Sequence, residues 1–408
     1  MVLDFEVLQG ISHQFGDSFY LLDREAFIQN YRDLEAAFRR YYEDSHIAYS
    51  YKTNYTPALC KAVDELGGYA EVVSSMEYEL ARRIGVSAEK IILNGPYKSY
   101  ETVTDLLTGG GIINVDSAHE LEMLENISKD RLNCVLNVGI RCNFDIGDGN
   151  ISRFGVDVDS DEFFTIWDYL HSRPFIRPAG LHCHFALRGL QVWRKKISGM
   201  LSLIDKLGDP DIDYVDVGGG LFGRMGDSLK AQFDTPIPDY NEYAETIAEP
   251  FADFYRHKDK RPKLFIEPGS ALSGDVMKFA SKVVGIKSVR EKSIATLSGS
   301  MYNINPTLNK KNLPITVYRS SKVAQHYDDL DFGGYTCIES DYLYRGYSGN
   351  IAVGDFVVFD NAGSYSVVLK PPFILPNFPI LDLGSEEDSL KIIKQAETFD
   401  DIFHTYNY

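Results

Sequence analysis

Four stretches of this 408-residue chain combine residue types in ways that suit chemistry. Lys52 closes the apolar run Ile47 to Tyr51 within YSYKTN, which would hold its ammonium at the rim of a desolvated pocket. Desolvation penalises the charged form and prepares an amine to condense with an aldehyde. A lone lysine is ordinarily a solvated surface residue; it is the setting that gives this one a second use. Asp216-Val217-Gly218-Gly219-Gly220 follows an apolar run, and consecutive glycines let backbone N–H groups encircle a phosphate. A glycine run is also the ordinary mark of a tight turn, and this one lacks the lysine of a nucleotide P-loop and the spacing of a dinucleotide fingerprint. Glu267 in IEPGS is a carboxylate that, facing a heteroaromatic nitrogen, keeps that nitrogen protonated and makes the ring an electron sink. It could equally be a buried glutamate paired with an arginine such as Arg141, and the two readings can coexist. His182 and His184 flank Cys183 in GLHCHF, so strand alternation points both imidazoles to one face. Two histidines at i, i+2 can ligate a metal, but no third ligand stands at a convincing spacing, and no metal is expected. Stacking on a planar cofactor is the better use for His184, while His182 falls back to a satisfied core residue.

The elements that must position these groups alternate between short apolar runs and helical periodicity, the βα pattern of a parallel sheet. Candidate strands are HIAYSYK (46–52), YAEVVS (69–74), KIILNG (90–95), GIINVD (111–116), LNCVLNVGIR (132–141), AGLHCHF (179–185), DYVDVGGG (213–220) and KLFIEPG (263–269). Amphipathic stretches such as PALCKAVDELGG, SMEYELARRIG, AHELEMLENI and NEYAETIAEPFADFYRHK lie between them, each long enough for a crossover helix. Eight such units predict an α/β fold, a (β/α)8 TIM-like barrel whose active site sits at the C-terminal mouth. The strand ends there present Lys52, Glu71, Asn94, Asp116, Arg141, His184, Gly218 to Gly220 and Glu267. From about residue 275 the runs VMKFASKVVGIKSV, PITVYRS, TCIESDYL, DFVVFDNAG and YSVVLKP are β-like and lack intervening helices, which predicts a C-terminal all-β domain. The expected division is 1–30, whose strand-like SFYLLD (18–23) joins the β domain, then 31–274 for the barrel and 275–408 for the β domain.

Composition narrows the partners. Lys and Arg number 41 against 59 Asp and Glu, a net charge of −18, and a field of that sign repels phosphate backbones and anionic bilayers. Neither nucleic acid nor membrane is expected as a partner. The five cysteines, Cys60, Cys134, Cys142, Cys183 and Cys337, are far apart and form no CxxC pair, which fits a reducing compartment. MVLDFEVLQG carries acidic residues where a secretory signal has a basic flank, and no apolar stretch approaches the roughly 20 residues of a membrane span, so a cytoplasmic protein is expected.

In this order the motifs resemble the fold-type III pyridoxal-phosphate decarboxylases, the alanine racemase-like group containing diaminopimelate and eukaryotic-type ornithine decarboxylases, over nearly the whole chain. YSYKTN resembles the family's YAVKAN, EVVSSMEYELA its DVVSGGEL, IRCN and SRFG (152–155) its LRVN and SKFG, and GLHCHF its HCHIGS up to the second histidine. VDVGGG and IEPG match the phosphate loop and the segment that partners the pyridinium; GYTCIESD is similar to GPLCESSD, and NAGSYSV to the motif whose tyrosine reaches the cofactor phosphate. The resemblance implies pyridoxal 5'-phosphate as cofactor, held by Lys52, Glu71, Arg141, His184, Gly218, Gly219, Gly220, Glu267, Gly269, Ser270 and Tyr365. It implies catalytic roles for Lys52, Glu267, His184 and Cys337, and a head-to-tail homodimer with two shared active sites, Cys337 crossing the interface to help return a proton to Cα.

The departures bear on substrate. After His184 the family's IGS is replaced by Phe185-Ala186-Leu187 and then Arg188, and EPGR becomes EPGS at Ser270. SMYNINPTL puts Asn305 where an arginine would grip the distal carboxylate of diaminopimelate. Ile338 follows Cys337 where an acid would bind a distal amine, with Glu339 shifted by one and Asp341 beyond it. A pocket without those partners should not select diaminopimelate, ornithine or lysine. The expected substrate is an L-amino acid whose side chain is acylated, carrier-bound or nucleotide-linked, as in siderophore, antibiotic or microcin pathways. Arg188, Arg224 and Arg345 could meet an anionic tether, or lie at the surface or a dimer interface. Two other functions compete: a racemase of the same fold, which needs a tyrosine base opposite the lysine, and an inactive binding paralogue, against which the retention of Lys52, Glu267, Cys337 and Tyr365 argues.

Overall fold

The computed structural model describes residues 1–130, 134–307, 309–320, 324–384 and 390–407. The described residues divide into two units, one of 28–222 and 237–271, the other of 1–27, 223–236 and 272–408.

The first unit is the barrel. Its strands are β1 (Ser45–Ser50), β2 (Tyr69–Val72), β3 (Ile91–Leu93), β4 (Ile112–Val115), β5 (Leu136–Asn143), β6 (Ile176–His182), β7 (Tyr214–Asp216) and β8 (Lys263–Ile266). All neighbours are parallel, in the order β4-β3-β2-β1-β8-β7-β6-β5, and pairing of β4 with β5 closes the ring. Each overlaps its expected run, but Ser45–Ser50 starts one residue early, Leu136–Asn143 runs two residues past its run and Ile176–His182 starts three residues early; residues 132 and 133 of the fifth run lie outside the described residues. The apolar runs close into a solid interior: Ala48, Ile92, Ala179, Tyr214 and Phe265, from five strands, form one buried cluster. A filled barrel leaves only its rim for ligands, so the residues ending each strand carry the chemistry. The crossover helices start where their sequences offer caps. Ser74 accepts from Glu77 N–H, Ser160 from Phe163 N–H, and Asp239 forms a reciprocal capping box with Glu242 at the head of helix Tyr240–Tyr255.

In the second unit, strand Ser18–Leu22 is wholly buried, pairs antiparallel with Met277–Val289 (Tyr20 opposite Phe279) and runs parallel to Ile380–Asp382. Two expectations need correction. Residues 223–236, read as barrel, group with this unit, where Gln232 exchanges hydrogen bonds with the main chain of Asn312 at 2.9 and 2.8 Å. YSVVLKP, read as strand, forms a short helix at Ser366–Leu369, because Tyr365 takes a left-handed turn (φ 58°) and the Ser366 hydroxyl donates back to the Ala362 carbonyl. Valines alone resemble a strand; the turn ahead of them decides otherwise. Among the described residues no helix is long and apolar enough to cross a membrane.

Candidate active site

Lys52 sits on a single 3-10 turn, Tyr51–Thr53, directly after β1. Its Nζ donates to Glu71 Oε2 at 2.7 Å, and the Ser50 hydroxyl donates to the same oxygen at 2.6 Å. The expected apolar enclosure is therefore replaced by an ion pair: Glu71 is buried, whereas the Lys52 side chain stays one-third exposed. The amine is held by the Glu71 carboxylate.

A chain of amides organises the carboxylates. Tyr214 donates its hydroxyl to Asn114 Oδ1 (2.6 Å), and Asn114 donates to Asn94 Oδ1 (2.7 Å). Because Asn94 accepts there, its NH2 group must face the other way, where it donates to Glu267 Oε1 and lies 3.5 Å from Glu71 Oε1. Arg141, read as a partner for Glu267, instead pairs with Asp116 (3.3 Å), donates to the Asn94 carbonyl (3.2 Å) and lies over the Phe154 ring.

Glu267 is buried beside two imidazoles, His182 Nε2 at 3.3 Å from Oε1 and His184 Nδ1 at 3.6 Å from Oε2. Burial alone would raise its pKa; the adjacent His182, with Lys52 beyond it, outweighs burial and holds the carboxyl well below the ordinary carboxylate range. His184 accepts from the Gly219 N–H at Nδ1 (3.1 Å), so its proton belongs on Nε2. Burial pushes the His184 imidazole down to about 4, which makes it a neutral ring at physiological pH.

Asp216 is a site residue that motif reading treated only as the start of the glycine run. It ends β7, and its strand-end position is the signal that could have found it. Its Oδ1 accepts from Gly218 N–H at 2.9 Å, while Oδ2 is buried without a hydrogen-bond partner. Burial and the neighbouring Glu267 hold this carboxyl well above the ordinary range, which favours its protonated form beside a Glu267 that is held low. His182, Asp216 and Glu267 bring ligand-type atoms within 4.8 Å of one another, a trio that the spacing of His182 and His184 along one strand could not reveal.

The glycine loop can be built only from glycine. Gly218 and Gly220 have φ of 69° and 97°, and a Cβ on Gly218 or Gly219 would stand 2.4 Å from the carbonyl oxygen of Cys183 or Glu267. Gly269 passes so close to the turn bearing Lys52 that a Cβ would lie 2.0 Å from Thr53 Oγ1. Arg188, grouped by sequence with the substrate, lies beside this loop: its Nη2 donates to Ser270 Oγ at 3.4 Å and its guanidinium faces the Phe222 ring. A cation thus stands beside the position where EPGS has lost one.

The remaining candidates belong to the second unit. Cys337 is exposed, Ile338 is half-buried, Glu339 is exposed, and Tyr365 is half-buried. Asp341 is not available to a substrate: its carboxylate accepts from Ser300 Oγ, Met301 N, Thr336 N and Thr336 Oγ1 at 3.0, 2.8, 3.2 and 2.6 Å. Asn305 accepts from Thr307 Oγ1 and Asn309 N, both at 3.1 Å, and lines a cavity of about 330 Å3.

The barrel residues fit pyridoxal phosphate by their chemistry: an accessible amine, a carboxylate kept anionic, a neutral imidazole, and glycine amides with a nearby guanidinium. When bound, that cofactor supplies the electron sink for the pair left behind as CO2 departs. Residues 26–274 match the family model described as the pyridoxal binding domain of pyridoxal-dependent decarboxylases. The chain is 25% identical to diaminopimelate decarboxylase of Aquifex aeolicus, over 96% of this chain and 92% of that protein. It is 24% identical to the Methanocaldococcus jannaschii enzyme of the same name, over 96% and 91%. The crystal structure of an M. jannaschii diaminopimelate decarboxylase superposes with TM-score 0.86 at 22% identity, covering 98% of this chain and 94% of that one. A lysine/ornithine decarboxylase complexed with putrescine from Vibrio vulnificus superposes with TM-score 0.75 at 18% identity, covering 93% and 98%. With the resemblance carried by a family model that spans most of the chain, and with an amine, anion and glycine loop set on the rim of the matched barrel, this protein belongs to the pyridoxal-dependent decarboxylases.

Proposed function

We propose that the chain removes the α-carboxylate of an L-amino acid whose side chain ends in an acylated or anionic group, rather than that of diaminopimelate, ornithine or lysine. In this reading Lys52 carries the cofactor aldehyde, His184 covers the ring, Glu267 faces its nitrogen, and the glycine loop with Arg188 receives the phosphate. The observation that carries the substrate assignment is the segment after Cys337: the next residue is the apolar Ile338, and Asp341 is consumed by four internal donors, so neither offers a partner to a distal ammonium. The cavity beside Asn305 suits an anion, since Lys310, Lys311 and Arg345 line it and none of its described lining residues is acidic. Diaminopimelate is the second reading, favoured by the names of the relatives. Its distal ammonium would need an acidic partner, and an unpaired buried polar group costs about 1–3 kcal/mol.

The deciding measurement is CO2 release from meso-diaminopimelate, ornithine, lysine, and L-amino acids with acylated, phosphorylated or carboxylated side chains. The conjugates are expected to show kcat/KM higher by about 10- to 100-fold. Fastest turnover of diaminopimelate would overturn the substrate assignment.

We also infer a homodimer in which Cys337 of one protomer serves the barrel of the other, as the family resemblance implies. Mixing inactive Lys52→Ala and Cys337→Ala protomers should restore about one quarter of wild-type activity, because random exchange gives half mixed dimers with one intact site each. Two inactive proteins that stay inactive after exchange would exclude shared sites.

A further inference from the structure

Behind the glycine loop lies a lysine that neither the motifs nor the chemistry above uses. Lys196 is wholly buried on helix Leu190–Lys206, although a lysine is almost never fully buried without a partner. Its Nζ donates to the Gly219 carbonyl at 3.0 Å and sits 3.3 Å from the centre of the Trp193 ring. Trp193, one turn earlier and also fully buried, donates its Nε1–H to the Gly220 carbonyl at 3.0 Å. Two side chains at i and i+3, on one helix face, therefore grip the carbonyls of two consecutive peptide units.

The consequence follows from peptide geometry. In a trans peptide the C=O and the following N–H point in opposite directions. Turning the Gly219 and Gly220 carbonyls toward the helix turns the Gly220 and Leu221 N–H groups away from it. Among the described residues neither of those amides has an internal acceptor, in contrast to Gly218 N–H and Gly219 N–H, which are spent on Asp216 and His184. Two adjacent free amides on a left-handed loop form a nest for an oxyanion, and an ammonium behind it adds a favourable charge. Meanwhile the motif positions that would ordinarily help hold a phosphate read Leu187 and Ser270.

We propose that Lys196 and Trp193 are positioning residues for the cofactor phosphate: together they lock the Gly219 and Gly220 peptides so that the next two amides face the phosphate. The proposal rests on the placement of the phosphate at the glycine loop given under Proposed function.

The test compares equilibrium binding of pyridoxal 5'-phosphate and of pyridoxal, which lacks the phosphate, to the apoprotein of wild type, Lys196→Met and Trp193→Phe. Methionine keeps the length and apolar packing of Lys196 without the donor; phenylalanine keeps a ring without the N–H. Each variant is expected to weaken pyridoxal phosphate by about 10-fold or more and pyridoxal by less than about 2-fold, the loss of one donor to a charged assembly. Inorganic phosphate should compete with pyridoxal phosphate for wild type and compete poorly in both variants. Equal weakening of both ligands, or no weakening, overturns the positioning role, and apoprotein melting curves identify a variant whose loss is only structural. A wild-type protein that binds neither ligand would defeat the cofactor placement itself, whereas wild-type binding with unaffected variants defeats only this inference.

Discussion

Lys52→Ala is expected to lower decarboxylation by at least ~10³-fold, because it removes the amine that fixes the cofactor in place and the orientation that comes with it. The accompanying readout is covalent: pyridoxal phosphate trapped by borohydride on residue 52 of the wild type, found by peptide mass spectrometry, should be missing in the variant. Arginine at 52 should fail equally, since it keeps the charge opposite Glu71 but offers no nucleophilic amine. The two variants separate chemistry from packing. Alanine removes the cation beside the buried Glu71 and leaves it, among the described residues, to Ser50 and the more distant Asn94, so its apoprotein should melt lower than that of the arginine variant. If either variant retains wild-type turnover, the imine account of this site fails, whatever the folding data show.

Much of this arrangement was legible in the sequence because it depends on local period and on strand ends. Eight apolar runs with crossover helices admit few topologies, and a closed parallel barrel places the final residue of each strand on one rim; Lys52, Glu71 and Glu267 follow from that rule alone. Partnership across the barrel was less accessible. Arg141 and Glu267 are opposite charges on strand ends, yet Asp116 takes the arginine and His182 stands beside the glutamate, a choice set by which strands are neighbours around the ring. The same holds for the Asp216 and Lys196 side chains. Asp216 reads as a turn residue and Lys196 as one more charge on an amphipathic helix until the glycine loop folds against both. Arg188 shows the same limit: along the chain it merely follows the altered HCHF segment, and its place beside Ser270 appears only in the fold.

Glu267→Gln should reduce kcat by about 10²–10³-fold, the usual loss when one preorganised charge aimed at a developing charge is removed. The amide is the same size and can still meet Asn94 and His182, so cofactor attachment at Lys52 should survive and only the rate should fall. The deficit should be flat from about pH 5 to 8. Glu267 is held well below the ordinary carboxylate range and the His184 imidazole near 4, so neither changes charge within that window. Stability follows the same signs. The depressed Glu267 contributes stability that is present above the unfolded carboxylate value and lost only as pH falls through its lower folded value. The depressed His184 likewise favours the folded state at neutral pH, and that contribution is lost as pH falls from 6.5 toward 4, where the unfolded imidazole takes the proton first. Apoprotein melting temperature should therefore decline with acidification through that interval. The sharper check is the contrast with Asp216. A neutral Asp216 is mimicked by asparagine, so Asp216→Asn should cost less than about 10-fold where Glu267→Gln costs far more. Two carboxyls that share one buried site are thereby distinguished by which of them tolerates the loss of charge. If asparagine at 216 is the crippling change and glutamine at 267 the mild one, the proton resides on Glu267, and Asp216 rather than Glu267 is the anion of this site.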